Sequence, residues 1–225
     1  ALQMKDKTGG TVTVMSMGPA QAEDVLRESL SVGADEAYLV SGREFGGSDT
    51  LATSYILSCA VKAVEEKRGE KFDVIYCGKQ AIDGDTGQVG PEMAEHLGYT
   101  QITYATELVA CEGDKVQVRK ETADGYDVLE AALPVVISVT KTPFELRYPT
   151  VKKRLAANRA QIPTITPQDM EGQIDLSRAG LKGSPTKVKK SFTPQHNKTC
   201  VVVEEDSPSA SAVKLVALLS DDKKI

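Results

Sequence analysis

Apolar positions in the first 100 residues alternate between two kinds of segment. Short continuous runs at Thr11-Val-Thr-Val-Met-Ser-Met17, Ala37-Tyr-Leu-Val40 and Val74-Ile-Tyr-Cys77 read as buried strands. Between them, apolar residues recur at helical spacing. Gly18-Pro19 turns the first strand into a helix carrying Ala22, Val25, Leu26 and Leu30, with Gly33 as its stop. A second helix is expected from about Thr50 to Lys67, behind a cap at Ser48 or Asp49 and with Leu51, Ala52, Tyr55, Ile56, Cys59, Ala60 and Ala63 on its buried face. A third runs from about Gly87 to Leu97 and stops at Gly98, because Pro91 deeper inside a helix would break it. The order β-α-β-α-β-α predicts a mostly parallel sheet with helices on both faces and right-handed crossovers.

The pattern then changes. Ile102–Val109, Lys115–Lys120 and Tyr126–Leu133 alternate apolar and polar, with turns at 112–114 and 123–125. They predict antiparallel strands extending the sheet. Pro134 precedes a further buried strand, Val135–Thr140. From 141 on, prolines at 143, 149, 163, 167, 185 and 194 interrupt the chain. One short basic helix is expected at Val151–Ala160, an extended arm over 171–198, an added strand at Thr199–Val203 and an amphipathic helix at Ser209–Ser220. The expected division is therefore an α/β nucleotide-binding domain over 1–140 and a partner segment with a C-terminal arm over 141–225. Apolar residues after 141 are too sparse for a separate core, so the arm is expected to pack on a partner chain.

Charge sharpens that division. Residues 1–140 hold 12 Lys and Arg against 23 Asp and Glu, whereas residues 141–198 hold 12 against 4. The basic block suits nucleic acid, an acidic cofactor, an acidic protein, or simply solvent. With only Phe144, Tyr148 and Phe192 as aromatics it makes a poor single-strand stacking platform, and no nucleic acid is expected. Cys59, Cys77, Cys111 and Cys200 are scattered without a C-x-x-C pair, the usage of a reduced cytoplasmic protein. His96 stands at a helix end, where a cation is favourable, and reads as structural; His196 is far from it in sequence. No apolar stretch approaches the ~18 residues of a membrane span, and Ala1–Gly10 has no signal-peptide core. That segment reads as the end of a helix begun earlier, so the natural start is expected to be missing.

The chemistry concentrates in Gly78-Lys-Gln-Ala-Ile-Asp-Gly-Asp-Thr-Gly-Gln-Val-Gly-Pro91. A strand leads in and a helix leads out, the arrangement in which backbone N–H groups and a helix start hold phosphate. Gly78, Gly84, Gly87 and Gly90 leave room for close approach. The spacing matches neither G-x-G-x-x-G nor the P-loop. The plain alternative is a tight strand-to-helix connection without a ligand. Ligands of parallel sheets gather at strand carboxyl ends, and Met17-Gly18, the loop before Thr50 and this turn all follow such ends. Thr50 and Thr53 lie one helical turn apart and suit either a polar ligand or ordinary capping.

Gly78-Lys-Gln-Ala-Ile-Asp83 with Gln88 and Gly90 strongly resembles the β subunit of electron-transfer flavoproteins. Val14–Pro19, Val32–Asp35, Leu133–Ser138 and Leu146-Arg-Tyr148 agree, so the resemblance covers nearly the whole chain. It implies an adenine-nucleotide-hydrolase-like α/β fold and a C-terminal arm wrapping an α subunit. Ordinary members continue the run Asp-Asp-Cys-Asn-Gln-Thr-Gly and hold AMP. Gly84-Asp-Thr-Gly-Gln-Val-Gly-Pro91 instead looks like the electron-bifurcating subtype, in which FAD takes the AMP position. Phe45–Thr53 also resembles that subtype. The resemblance then implies that Met17, Gly18, Gly78, Gln80, Ala81, Ile82 and Asp83 line the adenosine end. Backbone of Asp85, Thr86, Gly87, Gln88, Val89 and Gly90 would hold the pyrophosphate, Gly84 would join the cofactor-binding residues, and Thr50 and Thr53 would hydrogen-bond the flavin side. Asp83 and Asp85 are expected as backbone caps, not as acids or bases.

The function so implied is electron transfer. FAD would accept hydride from NADH and pass electrons to ferredoxin or flavodoxin and, through FAD on the α subunit, to an acyl-CoA dehydrogenase or enoyl-CoA reductase. The alternative is a non-bifurcating subunit with structural AMP. A nucleotide hydrolase on the same fold would need a metal site, and no His/Asp/Glu cluster with metal spacing is visible. Two departures from the family stand out: its first strand, with a Val-Lys-Gln-Val-Pro stretch, is absent, and its partner-recognition segment, mapping to Pro149–Arg159, has Val151 in place of a leucine.

Overall fold

The computed structural model describes residues 1–82, 84–141, 145–193 and 200–222. In chain order the elements are α1 (Leu2–Thr8), β1 (Thr13–Met17), α2 (Glu23–Val32), β2 (Glu36–Val40), α3 (Thr50–Arg68), β3 (Val74–Gly78) and α4 (Val89–Leu97). Then come β4 (Thr100–Glu112), β5 (Lys115–Thr122), β6 (Gly125–Ala132), β7 (Val135–Val139), α5 (Val151–Arg159), β8 (Thr164–Ile165), α6 (Gly180–Gly183) and α7 (Pro208–Asp221). The mixed α/β class expected from the pattern is observed.

The strands form two sheets. One is β1-β2-β8, parallel throughout. The other is β3-β7-β4-β5-β6, parallel from β3 to β4 and antiparallel through the β4-β5-β6 meander. In these pairings β1 bonds to β2 and β3 bonds to β7, so each ends its sheet on the other side. Their side chains are accordingly half-buried, whereas Val135, Val136 and Ile137 of the inner strand β7 are buried. Among the described residues, four of the six strand pairings are parallel, the mostly parallel character that the β-α-β order predicts.

Helix α3 ties the two sheets together. Tyr55, Ile56, Cys59, Ala60, Ala63 and Val64 join Val40 of β2, Ile165 of β8 and Met170 in one core. The helix also packs on α4, which lies on β7 and β4. The second core gathers Ile102, Val116, Val118, Val135 and Ile137 between the strands of the larger sheet. Helix boundaries follow their caps. Asp49 accepts the Ala52 N–H at the start of α3, which resolves the choice between Ser48 and Asp49, and left-handed Gly69 and Gly98 end α3 and α4.

Two compact units are found, Ala1–Lys187 and Val188–Ile225. Residues 145–187 therefore pack on the α/β body. Ala157, Ile165, Met170, Ala179 and Ser184 are buried there, so the expected extended arm over 171–198 is instead a strap up to Lys187. Ile165 and Met170 enter the core beside α3, and Ser184 and Asp49 bond the rest of the strap, so a few apolar residues suffice where sparse apolar content suggested none would. The strand expected at Thr199–Val203 does not form over Cys200–Val203, and Thr199 lies outside the described residues. In the second unit, α7 begins where Ser207 caps Ala210, and it has no buried residue.

Candidate nucleotide site

The site is built from strand ends. Met17 closes β1 opposite Val40, and the Gly18 N–H donates to the Val40 carbonyl at 3.0 Å. Met17 packs half-buried against the core that carries α3. On the other sheet Gly78 ends β3 opposite Val139, and the Lys79 N–H donates to Val139 at 3.0 Å. The chain then makes an open turn that re-enters at α4. The two halves meet through side chains: Thr50 Oγ1, at the first position of α3, donates to Gln88 Oε1, the cap position of α4, at 3.0 Å.

The turn is shaped by its glycines, in two different ways. Gly87 has φ +66°, and a Cβ there would stand 3.3 Å from the Lys79 carbonyl. A Cβ at Gly90 would meet Cys77 Sγ at 2.5 Å, so this glycine lets α4 start directly against β3. Those two serve the chain's own packing. Gly78 and Gly84 are different, because a Cβ at either would meet nothing within 4 Å. The space over the backbone there is open, and Gly78, Gln80, Ala81, Gly84, Asp85 and Thr86 are exposed, with Ile82 102% exposed.

Within the turn, the Asp85 N–H donates to the Ala81 carbonyl at 2.9 Å, and Gln80 Nε2 donates to Asp85 Oδ1. Asp85 takes φ +53°, a strained conformation for a residue with a Cβ. Its carboxylate is thus engaged with the Gln80 side chain across the turn, where a backbone cap was expected. Asp83 lies outside the described residues. Thr53 sits half-buried on the first turn of α3, its N–H bonded to Asp49 O at 2.9 Å, and Val89 opens α4 half-buried. All the expected site residues that are described therefore lie at strand carboxyl ends or helix starts, and Thr50 and Gln88 touch.

Two residues at the site do more than the sequence showed. Tyr104 sits on β4 with φ +59°, where the β4–β7 register shifts, and its N–H donates to Ser138 Oγ at 3.2 Å. The Lys79 ammonium lies 5.2 Å from its ring centroid. Asp49 is the other: burial pushes its carboxyl up, but the amides of Ala52 and Thr186 hold it below its ordinary value. Nearby chemistry is quiet. Burial pushes the Cys77 thiol up to about 11, so it is no nucleophile at neutral pH. His96, expected to be structural, is held below its ordinary value by burial and then by Arg178. Among the described residues no group of three or more His, Cys, Asp and Glu is placed to hold a metal ion, and no helix is long and apolar enough to cross a membrane.

The donor set fits an adenine nucleotide: open glycine backbone beside a helix start for phosphate, and hydroxyl and amide side chains at the neighbouring helix. The fold and this site define a mixed α/β protein with an open turn at its strand carboxyl ends. More narrowly, the profile of the electron transfer flavoprotein domain matches residues 1–170, and the chain belongs to that family. It is 48% identical to the electron transfer flavoprotein subunit beta of Megasphaera elsdenii, over 100% of this chain and 84% of that protein. It is 45% identical to the subunit of the same description from Clostridium acetobutylicum, over 94% of this chain and 78% of that protein. Similarity extends to the acryloyl-CoA reductase electron transfer subunit gamma of Anaerotignum propionicum, 41% identical over 91% of this chain and 76% of that protein.

Proposed function

We propose that this chain is the β subunit of a heterodimeric, electron-bifurcating flavoprotein and that its nucleotide is FAD. The observation that carries the reading is the joint between Thr50 and Gln88, which sets a hydroxyl-bearing helix start beside an open glycine turn. The exposed backbone of Gly84 to Gln88 and the start of α4 hold the pyrophosphate. Met17, Gly18 and Gly78 to Ile82 line the adenosine end, and Thr50 and Thr53 hydrogen-bond the flavin side.

Bound FAD supplies the chemistry of taking hydride from NADH and releasing electrons singly to ferredoxin or flavodoxin and to FAD on the α subunit. The chain's own residues bind and orient. The Asp85–Gln80 contact fixes the turn, and Gly78 and Gly84 let the ligand approach the backbone. A final acceptor of the acyl-CoA dehydrogenase or enoyl-CoA reductase type is supported by similarity to the Anaerotignum subunit, whose name ties it to acryloyl-CoA reductase. Exposed Leu146, Tyr148, Val151 and Leu155 among Lys152, Lys153 and Arg154 offer such an acceptor an apolar and basic face. Val213, Leu215, Val216 and Leu218 of α7 do the same for the α subunit.

Structural AMP is the second reading, supported by Gly78-Lys-Gln-Ala-Ile-Asp83, which resembles the family as a whole. Mass spectrometry of nucleotides released from the denatured, purified heterodimer separates the two. Two FAD per heterodimer is the expected result. One FAD with one AMP overturns bifurcation and leaves the AMP subunit, and no adenine nucleotide overturns both.

A further inference from the structure

We propose that the strap over residues 179–186 is a latch that positions the start of α3, and with it the cofactor-facing hydroxyls. The proposal rests on the reading that this helix start holds the nucleotide. The contacts are specific and reciprocal. Ser184, 4% exposed, accepts the Asp49 N–H on Oγ at 2.9 Å and donates to the Gly180 carbonyl at 2.7 Å. Asp49 Oδ2 accepts the Thr186 N–H at 2.9 Å, while its Oδ1 accepts the Ala52 N–H at 3.1 Å. Ser48 Oγ accepts the Gly180 N–H at 3.1 Å and donates to Phe45 O at 2.7 Å.

Backbone crowding makes the fit exclusive. Gly180 takes φ +61°, and a Cβ there would lie 2.1 Å from the Glu44 carbonyl. Gly47 takes φ +74°, and a Cβ there would lie 2.6 Å from the Leu181 side chain. At Gly180 the strap thus meets the backbone of the loop before α3, and at Gly47 the loop makes room for the Leu181 side chain.

The position of the latch matters more than its strength. Asp49 carries one carboxylate oxygen toward α3 and the other toward the strap, one residue before Thr50. Any shift of the strap is therefore passed to Thr50, and from there to Gln88 through their 3.0 Å bond. Thr186 is two residues from the boundary of the second unit. The latch is thus next in sequence to the segment offered to a partner chain.

The test uses the purified complex and follows release of its adenine nucleotides after dilution into nucleotide-free buffer. Ser184→Ala is expected to speed release from this chain by roughly fivefold, the effect of losing one net hydrogen bond. Asp49→Asn, which keeps the side chain's shape and one acceptor oxygen, moves release in the same direction and keeps the test open if Ser184→Ala folds poorly. Ser31→Ala is the control. Its hydroxyl is equally buried and bonded to Glu28 O at 2.7 Å on α2, so it lowers stability without touching the loop. Release unchanged in both latch variants, or sped equally by Ser31→Ala, overturns the latch while leaving the nucleotide site standing. A wild-type complex with no nucleotide on this chain overturns the site, and the latch with it.

Discussion

Thr50 Oγ1 and Gln88 Oε1 lie 3.0 Å apart, joining the first residue of α3 to the residue that opens α4. The two belong to different sheets of the fold: α3 to the core of β1-β2-β8, and the turn to the end of β3. Thr50→Val keeps the volume and removes the bond. Because Thr50 is only half-buried, stability is expected to fall by less than about 1 kcal/mol. Nucleotide bound per chain after desalting is expected to fall several-fold. Full retention would place the nucleotide away from this joint.

Gly90 and Cys77 form a pair in which one residue's absence of a side chain makes room for the other. Gly90→Ala drives a methyl to 2.5 Å from Cys77 Sγ, and the start of α4 must move off β3. The expected cost is about 1–3 kcal/mol, read from urea denaturation. Cys77→Ala in the same chain vacates the space, so the double variant recovers most of that loss.

Arg27 clamps the basic helix. Its Nη1 donates to the carbonyls of Ala157 and Ala160 at 3.0 and 2.7 Å, and Nη2 donates to Glu23 at 3.0 Å. Helix α5 buries only Ala157, so it has little else to hold it against α2. Arg27→Ala is expected to remove hydrogen-exchange protection from the amides of α5 while α3 keeps its own. If α5 carries the acceptor, the KM for that protein rises with nucleotide content unchanged. Unaltered protection in α5 would show that Arg27 does not hold the helix.

Acid affects stability through two groups of opposite type. Asp169 is brought down to about 2 from 3.8 by the Thr166 hydroxyl and amide and by Lys67. Its folded value is depressed, so its stabilisation is present above pH 3.8 and is lost as pH falls from there toward 2. Solvent screening limits that contribution to about 1 kcal/mol. His96 is also depressed, by burial and then Arg178, but it is a base. Below 6.5 the unfolded chain takes a proton that the folded chain refuses, so stability falls as pH drops under that value. Denaturation midpoints between pH 7.5 and 5.5 should therefore decline. His96→Gln flattens this decline, and Asp169→Asn leaves it in place while flattening the loss below pH 4.

Local order was legible wherever a local cause produced it. Gly33, Gly69 and Gly98 end helices because the backbone there turns left-handed or nearly so. Pro91 and the glycines around it placed the turn before α4. The alternating runs after Ile102 produced β4, β5 and β6 as expected. At the site, the same local signals picked out residues that stand at strand ends and helix starts. Tyr104 escaped notice because its conformation comes from a register shift against β7, and Ser184 because its partner is 135 positions away.

What the sequence determined by itself was most of the elements up to Val139 and the open glycine turn. Each depends on residues within one or two helical turns of each other. Tertiary structure alone decided that the strands divide into two sheets, that residues 145–187 belong to the α/β body, and that the strap locks onto Asp49. Strand pairing and the strap's bonds are made by backbone groups that every residue possesses, and side-chain pattern does not say which partner they will choose. The turn at Gly78 to Gly90 was readable from its glycines. That it is held to α3 through Thr50 and Gln88 could be known only once the fold had brought them together.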